Sequence, residues 1–139
     1  MSRFEIHPRL RADCHVLGRY PVCQLLLNRN ATLPWFILVP ETDLPDLLDL
    51  PAAERSTALD ECAAVARFVK DRLGWPMVNF GAIGNLVPQM HLHVIGRRPG
   101  DACWPAPVWG HLTETSPYDA DQLADMRRRL AETTGLETP

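Results

Sequence analysis

The chemistry of this chain concentrates in residues 88–98, P-Q-M-H-L-H-V-I-G-R-R, where two of its five histidines stand one residue apart in an apolar alternation. Read as a strand over 89–95, the segment sends alternate side chains to opposite faces. Met90, Leu92 and Val94 then face a core, and Gln89, His91 and His93 form one row. Neighbours in such a row lie roughly 7 Å apart at Cα, near enough for both imidazoles to touch one phosphate-sized group. A solvated face would more readily use Thr, Lys or Glu. Two chemistries suit a His-x-His pair. Metal ligation needs a further carboxylate, thiolate or imidazole, yet no carboxylate follows His93 until Asp101. Anion chemistry uses one imidazole to attack phosphorus and the other to donate a proton or hydrogen bond. Arg97 and Arg98 favour negative charge and oppose a divalent cation, so local composition points to phosphate.

The upstream loop G-A-I-G-N-L-V-P (81–88) brings two glycines, whose backbone N–H groups can approach a phosphate closely. Asn79 and Asn85 add possible side-chain donors, although turn or cap roles explain them equally well. Zinc on Cys14, His15 and Cys23 is disfavoured, because adjacent Cys14 and His15 would point to opposite faces of a strand. Scattered, reduced, structural thiols are the simpler reading of the four cysteines.

These residues need elements to hold them. Strands are expected at 15–20, 21–28 and 35–40, the last two joined as an antiparallel hairpin by R-N-A-T-L-P. One long helix follows, with Pro51 at its first position, Glu54 in its first turn and Gly74 just beyond its end. Leu59, Cys62, Ala66, Val69 and Leu73 recur at helical spacing and define its packed face. M-V-N-F-G-A-I-G-N (77–85) begins as a strand and dissolves into a loop. The Pro- and Trp-rich stretch beyond Gly96 reads as ordered but irregular. A second, polar helix is expected over 119–132, with Leu123, Met126 and Leu130 as its stripe and a frayed tail behind it. Strands, one long helix and strands again predict an α+β domain with an antiparallel sheet, covered by the helix on one face and open for a site on the other.

With 139 residues, 46% hydrophobic and 22% charged, the chain has the composition of one globular domain. The formal charge of -3 gives no reason to expect nucleic-acid or membrane affinity. No apolar run is long enough for a membrane span, and the first residues lack a signal-peptide pattern. A cytoplasmic location is therefore expected.

Q-M-H-L-H-V-I resembles the signature of the histidine triad (HIT) family, His-φ-His-φ-His-φ-φ with φ apolar. L-L-L-N-R-N, P-W-F-I-L-V-P, the long helix, V-N-F-G-A-I-G-N and the Trp104-Pro105 dipeptide follow the family's order, so that about 15–110 looks like a HIT domain and 111–139 like an extension. The resemblance implies an antiparallel α+β sheet of about five strands, often assembled as a homodimer. It also implies a nucleotide hydrolase or nucleotidyl transferase, with no cofactor and, in most branches, no metal. His91 would be the nucleophile, forming a nucleotidyl-imidazole intermediate, and His93 would contact the phosphate and assist the leaving group. Asn28 matches a position near the ribose, Asn79 and Asn85 match positions near the phosphate, and Trp104 matches a tryptophan beside the partner subunit's site. Gln89 stands at the first triad position, where histidine is usual, and Phe36 stands where many relatives have a histidine. Together they suggest a coordinated alteration of leaving-group preference or pH profile. Two alternatives stand beside the enzyme: a HIT-fold protein that binds nucleotide with little turnover, and a metal-dependent hydrolase using His91 and His93 as ligands.

Overall fold

A computed structural model describes residues 3–139. Five strands, β1 (Cys14–Arg19), β2 (Cys23–Asn28), β3 (Trp35–Pro40), β4 (Met77–Gly81) and β5 (Leu92–Arg97), form one antiparallel sheet in the order β1-β2-β3-β5-β4. The architecture is the expected α+β one. The hairpin of β2 and β3 is present, with Leu26 opposite Ile37. β5 starts later than the alternation suggested, so Gln89, at a bend, and Met90 and His91 lead into the sheet without being part of the strand. The predicted division of faces holds: Met90, Leu92 and Val94 lie in the main core, and His91 and His93 lie on the other side.

The long helix α2 (Ala52–Asp71) covers the core face. Pro51 is its N-cap, one position earlier than expected. The buried stripe is Ala58, Cys62, Val65, Phe68 and Val69, packed with Leu25, Leu27, Phe36, Leu38 and Leu92. Leu59, expected on that stripe, turns outward at 39% exposure, because one residue is a 100° rotation from Ala58 in a helix of 3.6 residues per turn. Glu61, by contrast, is buried. Its carboxylate accepts the backbone N–H groups of Val22 at 3.0 Å and Cys23 at 2.8 Å, which ties the helix to the start of β2. Gly96 lets helix and sheet approach closely, since a Cβ there would meet Pro34 Cγ at 2.5 Å and Val69 Cγ1 at 2.9 Å.

The opposite face is partly covered by the N-terminal segment, which includes a short helix α1 (Pro8–Asp13) beyond the elements expected from the sequence. Ile6 and Leu10 pack there on Cys14, Leu26, Ile37 and Val39. The last helix, α3 (Ala120–Thr134), is capped by Asp119, whose side chain accepts from Gln122 N–H, and it buries Leu130 with Leu123 and Met126 alongside. The tail after it does not fray: Arg19 and Glu137 exchange backbone hydrogen bonds at 2.9 and 3.0 Å, and Leu136 is buried.

The irregular stretch after β5 is organised around one side chain. Arg97 is 1% exposed. Its guanidinium meets Asp101 through Nε–Oδ2 at 2.8 Å and Nη2–Oδ1 at 3.1 Å, and also donates to Asn79 Oδ1 and the Ala106 carbonyl, each at 2.8 Å. Burial alone would raise the Asp101 carboxyl; hydrogen bonds from Arg97 and from the Arg98 and Cys103 N–H groups hold it below its usual range. A buried charge left unpaired would be strongly destabilising, so the pair fixes the loop on the sheet. No helix among the described residues is long and apolar enough to cross a membrane.

Leu92 is fully buried under α2, so Leu92→Asp introduces an unpaired charge into the core and is expected to cost about 4 kcal/mol or more. Leu59→Asp, on the outer side of α2, should shift stability by only about 0.5 kcal/mol. Urea unfolding of both variants checks this pair of values, and an unchanged midpoint for Leu92→Asp would mean that the strand faces are reversed.

Candidate active site

His93 sits on an inner strand of the sheet, paired with Ile37 on β3 and Gly81 on β4. Period-two alternation puts Trp35, Ile37, His93 and Ile95 on one face. Both imidazoles are nearly enclosed, at 8% exposure for His91 and 5% for His93, with ring centroids 5.1 Å apart at 71°.

Hydrogen bonding assigns the ring protons. His91 Nδ1 lies 2.7 Å from the Gln89 carbonyl, which can only accept. His91 Nδ1 therefore carries the proton, and Nε2 keeps its lone pair. For His93 the partner is reversed. Trp35 Nε1–H can only donate, and it lies 3.0 Å from His93 Nδ1. In neutral His93 the proton then sits on Nε2. Burial, reinforced by the adjacent His91, lowers the His93 pKa to about 4. The two rings thus offer a nucleophilic nitrogen and a neutral hydrogen-bond donor side by side. Trp109 stands edge-on to His93 at 5.1 Å and to Trp35 at 6.4 Å, completing an aromatic wall.

The rings open onto a cleft of about 430 Å³, well within the size range of small-molecule sites. Leu10 and Cys14 from the N-terminal side, Ile37 on the sheet and Val87 overhead make an apolar compartment suited to a nucleobase-sized group. Asn28 and Asp13 mark its polar end, while Ile83, Gly84, Asn85 and Leu86 supply the opposite rim with Trp109. Arg9 and Asp13 are the only acidic or basic side chains lining the cleft, apart from the histidines, among the described residues.

The residues singled out from the sequence fall into two groups. His91, His93, Asn28 and Asn85 line the cleft. Gln89, Asn79 and Trp104 do not. The Gln89 amide accepts from His7 N–H at 2.8 Å and donates to the Glu5 carbonyl at 2.9 Å, so it clips the N-terminal segment over the site instead of facing a reacting group. Asn79, expected near phosphate, is held by Arg97. Trp104 lies under the Arg97 guanidinium at 5.6 Å. The two arginines expected to attract anions are turned away as well: Arg97 is neutralised by Asp101, and Arg98 stacks on Trp75 at 4.0 Å. Phe36 is on the core face, edge-on to Phe68 at 6.3 Å, remote from Gln89's side of the sheet. Trp35, its neighbour, is the residue that touches His93, and the alternation of W-F-I-L-V-P was the available signal for it. Trp109 had no comparable signal, since it lies in irregular structure. Cys14 lines the cleft, whereas His15 projects from the other face toward Tyr118. No group of three His, Cys, Asp or Glu residues among those described is arranged to hold a metal ion.

A sequence profile for the HIT domain matches residues 9–100. The solved structure of a histidine triad protein from Marinobacter aquaeolei VT8 is 38% identical over 96% of this chain and 98% of that one, with a TM-score of 0.88. A histidine triad (HIT) protein from Sinorhizobium meliloti 1021 is 34% identical over 94% of this chain and 97% of that one, with a TM-score of 0.88. One from Bradyrhizobium japonicum is 34% identical over the same shares, 94% and 97%, with a TM-score of 0.86. Comparison with curated proteins gave no match.

The depressed His93 pKa has a sign. The folded state favours neutral His93, so its contribution to stability is complete above the unfolded value of 6.5 and is lost as pH falls through about 4. Trp35→Phe keeps the ring and removes the donor that opposes protonation of Nδ1. NMR titration should follow His93 near pH 4 in the wild-type protein and at a higher pH in Trp35→Phe. Equal midpoints would show that the indole does not control its charge.

Proposed function

The chain belongs to the histidine triad (HIT) family, and from that premise we propose that it is a nucleotide hydrolase or nucleotidyl transferase acting at an α-phosphate through His91. The observation that carries this reading is the complementary hydrogen bonding of the two imidazoles, with an acceptor carbonyl on His91 Nδ1 and a donor indole on His93 Nδ1. His91 Nε2 attacks the α-phosphorus, a P–N bond forms, and the bond to the leaving group breaks as the leaving atom takes a proton from solvent, which the attacking water of the second step returns. The resulting imidazolium keeps its Nδ1–H on the Gln89 carbonyl, which stabilises the positive charge. Water, or an acceptor nucleophile, then attacks phosphorus and frees His91. His93 contributes an Nε2–H hydrogen bond to a phosphoryl oxygen or to the leaving atom. Because it is neutral, it supplies a hydrogen bond rather than a net proton.

The nucleoside is read into the compartment formed by Leu10, Cys14, Ile37 and Val87, with Asn28 beside the ribose and Asn85 near the phosphate. The charge distribution favours leaving groups of low charge. A dinucleoside polyphosphate brings several negative charges, and among the described residues only Arg9 lines the cleft to meet them. A nucleoside phosphoramidate brings fewer. Gln89 acts by positioning, through the N-terminal clip and its own carbonyl. A second reading, nucleotide binding with little turnover, draws on the inability of neutral His93 to serve as an acid. Homodimer assembly is also proposed, because β4 is an edge strand and exposes Met77 and Phe80, with Ile83 beyond it.

Wild-type protein should release AMP from adenosine phosphoramidate faster than from diadenosine polyphosphates, and chelator should leave this unchanged. His91→Ala should lower kcat by about 1,000-fold or more, as loss of a covalent nucleophile does. Nucleotide binding without release by the wild type would support the second reading. Release abolished by chelator would sink the metal-independent mechanism.

A further inference from the structure

The cleft does not close at its sugar end. Past Asn28 and Asp13 it adjoins a second cavity of about 430 Å³, equal to the about 430 Å³ of the cleft itself. Asp13 and Asn28 line both, while Arg29, Asn30, Thr115 and Ser116 line the second alone. Its outer wall is pinned in place. Asn30 Nδ2 donates to the Glu114 carbonyl at 2.8 Å, Ala31 N–H to the Ser116 carbonyl at 2.6 Å, and Ser116 N–H to Asn30 Oδ1 at 3.3 Å. Residues 114–117 lie beyond the 9–100 span that matches the family profile.

Arg29 supplies a fixed positive charge. Its Nε donates to the Ala12 carbonyl at 2.9 Å, and its Nη1 lies 3.4 Å from His15 Nδ1. Burial, with Arg29 and Arg127 nearby, disfavours protonation of His15, which leaves Nδ1 able to accept. No carboxylate forms a salt bridge with Arg29 among the described residues. The one carboxylate of the cavity, Asp13, stands at the junction with the cleft, where it suits a hydroxyl donor. Arg29, Asn30, Thr115 and Ser116 line the cavity beyond it, residues whose side chains can donate to an anion.

We propose that this second cavity is a subsite for a phosphate carried on the ribose of the nucleotide, with Arg29 as its charged contact and Asp13 and Asn28 meeting the remaining sugar hydroxyl. The proposal rests on the reading that the nucleoside lies with its ribose at Asn28. The substrate class is then a ribose-phosphorylated nucleoside 5′-phosphoramidate or related 5′-phosphate derivative, cleaved at the 5′-phosphorus.

The test compares adenosine 5′-phosphoramidate with its 3′-phosphorylated counterpart. The wild type should prefer the latter by about five-fold in kcat/KM, mostly through KM, as one partly exposed charge pair provides. The preference should weaken with salt and fall toward one in Arg29→Gln, with melting temperatures confirming that the variant is folded. Thr115→Glu, which brings a carboxylate into the same cavity from its other wall, should lower the ratio too. Turnover of both substrates with no wild-type preference, or with a preference that Arg29→Gln retains, overturns the subsite and leaves the catalytic reading standing. Turnover of neither sinks the catalytic reading. Calorimetry with adenosine 3′,5′-bisphosphate against AMP then decides the subsite alone: tighter binding of the bisphosphate that Arg29→Gln abolishes supports it, and equal binding overturns it.

Discussion

The Trp35 indole N–H can be accepted by His93 only while that imidazole is neutral. The rest of the site depends on this. With centroids 5.1 Å apart, a neutral His93 does not repel the imidazolium that His91 would become in the proposed intermediate, and fixing its Nδ1 as acceptor leaves a donor on the far nitrogen. The Gln89 carbonyl does the opposite for His91 and leaves a lone pair. Two identical side chains thereby acquire different chemistry from one backbone carbonyl and one indole. The strand register makes this possible, because β3 brings Trp35 to β5 on the side away from the core.

Around that pair the sheet divides its labour. One face is closed by α2, with Leu92 and Val94 beneath it. The other carries the cleft, roofed by the N-terminal segment that Gln89 clips down. The aromatic wall beyond His93 stays in place because the loop bearing Trp109 is anchored on Arg97. A buried guanidinium with a bidentate carboxylate, an amide and a backbone carbonyl as partners is a rigid anchor. The same saturation removes its charge from the cleft, so structural and electrostatic roles exclude each other here.

The alternation in Q-M-H-L-H-V-I was enough to separate core from site, and it made the two histidines and the sheet class readable from the sequence. The spacing of Cys62 and Val69 gave the long helix, although Leu59 fell off its stripe because periodicity alone does not locate the stripe's centre. What stayed hidden depended on distant pairing. Gln89 is explained by His7 and Glu5, more than eighty residues away in sequence. Arg97 looked like a free cation because nothing in R-R-P-G-D tells that Asp101 folds back onto it. The six-residue helix α1 is too short for a periodic signal. The sequence places Trp35 on a strand, but only the register with β5 identifies what it touches.

In the proposed mechanism His91 Nε2 forms a covalent bond to phosphorus, so that each turnover contains two displacements. The most direct measurement is the stereochemical course at a chiral α-phosphorus, using an isotopically labelled nucleoside phosphorothioate substrate and reading the configuration of the product. Two in-line displacements predict overall retention. Inversion would mean a single direct attack by water, and would leave the two imidazoles as binding groups only.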